Sequence, residues 1–182
     1  MRLTHCQASL ELDPVGAVVS EAELFIGDRA VRPFFQNPWR DDPRKMDTLT
    51  RHLGAEWPCV PFGVPQPPAG LPADWQCAKG AVNWHRHAHG YGAHADWTWT
   101  QQNDRSALAE ITYPAAGPIA GLRRQVTLAD ENEIRFNLEI EAREDCRVPV
   151  GLHPVLSLTD AAPGAAVLEI AGADTAWTLS LI

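Results

Sequence analysis

The chain has 182 residues, with 15 Lys plus Arg against 23 Asp plus Glu, hence 15 − 23 = −8 with its 7 His neutral; 45% of it is hydrophobic and 21% charged. This usage excludes a disordered or low-complexity chain, and a length that buries roughly 70% of the unfolded surface predicts one domain over residues 1–182 that needs no disulfide or metal to hold it. The acidic balance excludes nucleic acid as a partner, since no basic run exceeds Arg123-Arg124 and a phosphate backbone has to be neutralised at several points. No apolar run nears the ~20 residues that span a bilayer. His5, Gln7 and Glu11 interrupt the N-terminus where a signal peptide needs an apolar stretch, so the expected location is the cytoplasm. Cys6, Cys59, Cys77 and Cys146 form no C-x-x-C pair and read as free, mostly buried thiols.

In chain order, Ala22, Leu24 and Ile26 alternate with Glu21 and Glu23, the period of a half-buried strand. Residues 44–53 place Met46, Leu49 and Leu53 at helical spacing, with Gly54 as a stop. Pro58, Pro61, Pro65, Pro67, Pro68 and Pro72 predict a stiff, extended surface loop that can wall a site. Trp97 and Trp99 alternate with Thr98 and Thr100, and Leu122, Val126 and Leu128 share one parity. Over residues 133–143 the even positions Ile134, Phe136, Leu138, Ile140 and Ala142 are apolar and the odd ones polar, the clearest strand of the chain. Antiparallel sheet with one wet face follows, arranged as a sandwich or barrel.

Four of the 7 histidines, His85, His87, His89 and His94, lie in one stretch. If that stretch is extended, His85, His87 and His89 project to one face, where they can chelate a transition metal, as in a cupin-like barrel enzyme, or act as acid and base on a polar substrate. The acidic ligand expected next in a cupin is replaced by Ala93-His94-Ala95, and no metal is assigned. His89-Gly90-Tyr91-Gly92 allows a tight turn beside an imidazole. In Gly151-Leu152-His153-Pro154, an extended chain turns His153 away from the apolar side of Val148, Val150 and Leu152, toward solvent or ligand.

Tyr113-Pro114, residues 122–128, the strand at 133–143, Val148-Pro149-Val150-Gly151-Leu152-His153-Pro154, His89-Gly90-Tyr91 and the following Trp97 resemble, in order and spacing, the galactose mutarotase (aldose 1-epimerase) family. Glu56-Trp57-Pro58-Cys59-Val60-Pro61-Phe62-Gly63 resembles the Pro-x-x-Pro-aromatic stretch of its members. The resemblance implies an all-β antiparallel sandwich and cofactor-free interconversion of the α and β anomers of a free sugar bound in a cleft on a sheet face. It implies His153 as general acid at the ring oxygen, His89 as a second donor that orients the sugar, and Trp57, Tyr91 and Trp97 as sugar contacts.

Two departures accompany it. Gly63-Val64-Pro65 stands where relatives place an Asn-Arg pair that binds sugar hydroxyls. The family's catalytic base is a glutamate near the end of a longer chain, so this one is expected to lack the C-terminal part of the domain, and a catalytically inactive carbohydrate-binding fragment is the alternative. A homodimer that covers an exposed sheet edge is a further expectation.

Overall fold

The computed structural model describes residues 1–52, 54–64, 87–158, 161–167, 169 and 171–172. Expectations that rest on His85, Cys77, the prolines from Pro65 to Pro72 and the chain end after Gly172 lie outside the described residues.

Two four-stranded antiparallel sheets carry the fold. The first is a meander of β1 (Arg2–His5), β2 (Ala8–Leu12), β3 (Val19–Ile26) and β4 (Arg29–Val31). A short helix α1 (Thr48–His52) and the two-residue strand β5 (Pro58–Cys59) follow. The second sheet is a meander of β6 (Thr98–Asn103), β7 (Ser106–Thr112), β8 (Ile119–Asp130) and β9 (Glu133–Ala142). β10 (Gly151–Leu152) pairs with β5, Gly151 opposite Cys59 and Leu152 opposite Pro58.

Period two decides which side chains meet. Leu3, Ala8, Leu10, Leu12, Val19 and Ala22 of the first sheet share one core with Ala107, Val126 and Leu128 of the second, and Ile134 and Phe136 pack against it. The two sheets therefore form the expected antiparallel sandwich. A second cluster joins Val60, Trp97, Ala109, Tyr113, Ile119 and Leu122, with Leu138 against it. On the outer face, Arg123 lies between Glu110 and Glu139 of the neighbouring strands at 3.0 and 3.1 Å, so Glu139 is a solvated partner, as its parity predicts.

Several expectations need correction. The predicted helix at 44–53 shrinks to α1, because Asp47 caps the turn: its carboxylate accepts the Thr50 N–H at 2.9 Å and the Thr50 hydroxyl at 2.6 Å. Pro58 is not in a surface loop. It is fully buried within β5, tolerated there because a two-residue strand asks little of its missing N–H. Ile26, predicted inward, is 65% exposed at the strand end before the Gly27 turn. Of the described cysteines only Cys59 is buried, while Cys6 and Cys146 are exposed. Among the described residues no helix is long and apolar enough to cross a membrane.

Arg123 and Arg124 are adjacent, so the pleat sends one to each face. Arg124 enters the core fully buried, pairs with the carboxylate of Glu56, donates to the Ala17 carbonyl at 2.7 Å and lies over the Phe136 ring at 5.1 Å. Glu56 in turn exchanges backbone hydrogen bonds with Val19 of β3 at 2.9 and 3.4 Å. Burial pushes the Glu56 carboxyl up and the Arg124 guanidinium down, each opposed by the partner's charge. A buried pair of this kind is costly to break from one side, because the survivor is left uncompensated. Arg124→Met alone is predicted to destabilise the fold by about 3–5 kcal/mol, and the double variant with Glu56→Leu to recover most of that loss. Urea unfolding of the three proteins measures both.

Candidate functional site

Residues 55–63 form a spine to which both histidine segments attach. On one side His153 N–H donates to the Trp57 carbonyl at 2.9 Å, Val155 N–H to Ala55 at 2.6 Å, and Phe62 N–H to Pro149 at 2.7 Å. On the other side His89 N–H donates to the Gly63 carbonyl at 2.6 Å. Two histidines 64 positions apart, 153 − 89, thereby meet. Their rings lie edge to face with centroids 4.9 Å apart.

The pair sits in an aromatic nest. The His153 ring stacks on Trp57 at 4.3 Å and 10° between planes. Phe62 flanks His89 at 5.3 Å and His153 at 6.3 Å. At 44% exposed, Phe62 is the ring of this group that opens most to solvent. Both imidazoles are half-buried, and neither Nδ1 has a hydrogen-bond partner. Burial lowers the pKa of both, and for His89 the nearby His153 and His94 add to the effect. An unpartnered buried N–H is costly, so at His89 the neutral tautomer with its proton on Nε2 is favoured, leaving a bare Nδ1.

The His89 turn is not the extended strand that would align His85, His87 and His89. His89 has φ +62° and Gly90 φ +85°, and Gly90 N–H donates to the His87 carbonyl at 3.2 Å. The chain reverses here, so His87 packs its ring against His94 at 4.8 Å while His89 reaches His153. His94 Nε2 bonds the Ala88 carbonyl at 2.9 Å and braces the turn. Among the described residues no group of three His, Cys, Asp or Glu side chains is placed to hold a metal ion.

His153 was expected on an open face, away from an apolar side, and the structure reverses this. Val150 and Leu152 are 50% and 46% exposed, while His153 faces inward onto Trp57. The strand at β10 flanks the spine rather than the sandwich core, so its apolar parity does not mark the buried side. Trp57 and Trp97 are 1% and 3% exposed. The first lies beneath His153; the second donates its indole N–H to the Gly92 carbonyl at 2.8 Å within the core. Tyr91 is half-buried, edge to face with Tyr113 at 5.3 Å. The structure thus joins His89, His153 and Trp57, and adds Phe62, which sequence reasoning quoted only as part of a motif.

Gly90 is fixed by contact as well as by conformation. A Cβ there would collide with the Val60 carbonyl on the spine. Gly90→Ala is predicted to cost about 2 kcal/mol or more and to separate the two rings, seen as loss of the His89–His153 cross-peaks in an NMR spectrum. The lowered pKa values carry a sign for stability. The unfolded chain holds protons on these histidines at a pH where the folded chain does not, so stability rises with pH. It is fully present above the unfolded value of ~6.5 and is lost as pH falls from there through the lower folded values. Unfolding titrations at stepped pH are expected to show this loss, and His89→Ala with His153→Ala to flatten it.

No family model matches the sequence, and no curated protein matches it. Two solved structures are similar in fold. A candidate aldose 1-epimerase from Escherichia coli K12 aligns with a TM-score of 0.54 and 18% identity, over 84% of this chain and 50% of that one. A galactose mutarotase-like protein from Lactobacillus casei ATCC 334 aligns with a TM-score of 0.59 and 13% identity, over 86% of this chain and 49% of that one. The chain spans about half the length of each. Over that half, it has the galactose mutarotase-like fold.

Proposed function

We propose that this chain carries the imidazole half of an aldose 1-epimerase site and interconverts the α and β anomers of a free sugar. The observation that supports it is the His89–His153 pair, 4.9 Å apart on the Trp57 platform.

Opening a sugar ring needs a proton delivered to the ring oxygen and another taken from the anomeric hydroxyl; rotation and reclosure then invert the centre. In this reading His153 delivers the first proton and solvent water takes the second from the anomeric hydroxyl, the two returning on reclosure. The His153 ring is held in one plane by Trp57, so the direction of delivery is fixed before the sugar arrives. His89, edge-on to that ring, donates from Nε2 and orients the sugar. Phe62, open to solvent beside both rings, offers an apolar surface to the sugar's C–H face. Trp57 and Trp97 act from beneath, the first supporting His153 and the second holding the Gly92 peptide. The reaction calls for no cofactor.

A second reading, carbohydrate binding without turnover, is favoured by one observation. The charges that act on His89 are those of His153 and His94, and burial acts on His153, so among the described residues no carboxylate is coupled to either ring. If binding is all that remains, sugars saturate the site with no gain in anomer exchange.

NMR magnetisation transfer between the anomers of glucose and of galactose separates the two. The first reading predicts exchange above buffer, abolished in His153→Ala and reduced about 10² to 10⁴-fold in His89→Ala. Because His153 acts as an imidazolium acid and burial lowers its pKa, the rate is expected to rise as pH falls below ~6.5. Unchanged exchange in His153→Ala excludes the assignment.

A further inference from the structure

The His89 turn meets the spine at a side chain that touches neither imidazole, as well as through the His89 N–H on the Gly63 carbonyl. His89 rides on the turn before a single 3-10 turn (Tyr91–Ala93), and His153 rides on the spine, so their separation is set by whatever ties that turn to the spine. Gly90 and Gly92 make the approach possible. Gly90 abuts the Val60 backbone, and a Cβ on Gly92 would stand 2.7 Å from the Tyr113 hydroxyl.

That hydroxyl occupies the gap. Tyr113 Oη donates to the Val60 carbonyl at 2.8 Å and accepts the Gly92 N–H at 3.1 Å. The phenol is 3% exposed and burial raises its pKa, so it stays protonated and serves as donor and acceptor together. Its backbone is anchored in the second sheet. Tyr113 N–H donates to the Ala120 carbonyl at 2.9 Å, and Arg143 Nη2 donates to the Tyr113 carbonyl at 2.9 Å. The bridge is thus referenced to β7 and β8 rather than to either loop.

We propose that Tyr113 is a positioning residue: its hydroxyl, bridging Val60 and Gly92, locks the His89 turn onto the spine and so sets the geometry of the His89–His153 pair. The proposal rests on the reading of that pair as the working groups. A ring displaced by about 1 Å is enough to cost on the order of 10²-fold in rate.

The test is Tyr113→Phe, which keeps the ring between Tyr91 and the core and removes only the oxygen. Imidazole signals followed through pH by NMR are the primary readout, because they need no turnover. The groups facing His89 are His153, His94, Trp57 and Phe62. In Tyr113→Phe the His89 midpoint is expected to move up toward the ordinary value as its turn opens to water. The His153 midpoint is expected to move the same way by less, because the Trp57 stack keeps its ring covered. Cross-peaks between the two rings weaken, and anomer exchange falls about tenfold or more. A uniform loss of stability in a chain that remains folded would move neither midpoint. A folded Tyr113→Phe with both midpoints and the ring cross-peaks unchanged overturns the proposal. Should that variant not fold, the unmutated protein still decides: the Tyr113 ring protons next to Oη must show a cross-peak to the Gly92 N–H, and its absence overturns the bridge. If the unmutated protein exchanges no anomers, the functional reading fails while the titration and cross-peaks continue to test Tyr113.

Discussion

The buried ion pair between Glu56 and Arg124 is the contact on which the rest depends. Arg124 comes from the middle of the second sheet and Glu56 from the spine, which itself bonds to Val19 of the first sheet. One guanidinium thereby fixes the spine against both layers of the sandwich, with the Ala17 carbonyl as a third point. Desolvating two charges is expensive and replacing both with apolar groups is often harmless, so the value of such a pair lies in the arrangement it specifies. Here that arrangement is the direction of residues 55–63. Glu56 and Trp57 are neighbours on an extended segment and point to opposite sides, and with Glu56 held by Arg124, Trp57 faces His153.

From this spine the site follows by backbone hydrogen bonds. The segment at β10 brings His153 onto Trp57, and the turn at residues 87–90 brings His89 onto Gly63. The local rules of sheet and turn are obeyed nearly everywhere. The exceptions among the described residues are four non-glycine residues at positive φ, Cys6, Ala17, Ala55 and, at φ +62°, His89. Strain of that kind persists where surrounding contacts over-determine it, and at His89 the His94–Ala88 contact, the Gly63 carbonyl and the Gly90–Val60 approach do so.

How much of this could be read from the sequence depends on range. The strands at β8 and β9 were legible because one period of two ran through each. Arg124 shares the parity of Leu122 and Val126, so its inward direction was available, but its partner lies 68 positions away and no periodicity points there. For residues 85–89 the sequence left two readings open, because a run of histidines and small residues carries no strand pattern, while the glycines of His89-Gly90-Tyr91-Gly92 signalled the tight turn that His89 and Gly90 adopt. His153 was turned the wrong way because parity marks a buried face only where a strand covers the main core, and β10 covers the spine. Trp57 and Trp97 illustrate the limit of residue type: both are large amphipathic rings suited to sugar stacking, and both are buried. The mutarotase-like fold was legible from motif order, and the structural comparisons support it over about half of each solved chain.

The central claim is that the spine couples the sandwich to the histidine pair, and amide hydrogen exchange addresses it most directly. The His153 and Val155 amides bond to the spine, the Val19 amide bonds the spine to the first sheet, and the β7–β8 amides report the second sheet. If the account holds, His153, Val155 and Val19 exchange in the slow class of β7 and β8, and all of them speed up together in Arg124→Met. Fast exchange at His153 and Val155 while the sheets stay protected would contradict it, since the histidine pair would then rest on a segment that opens independently of the fold.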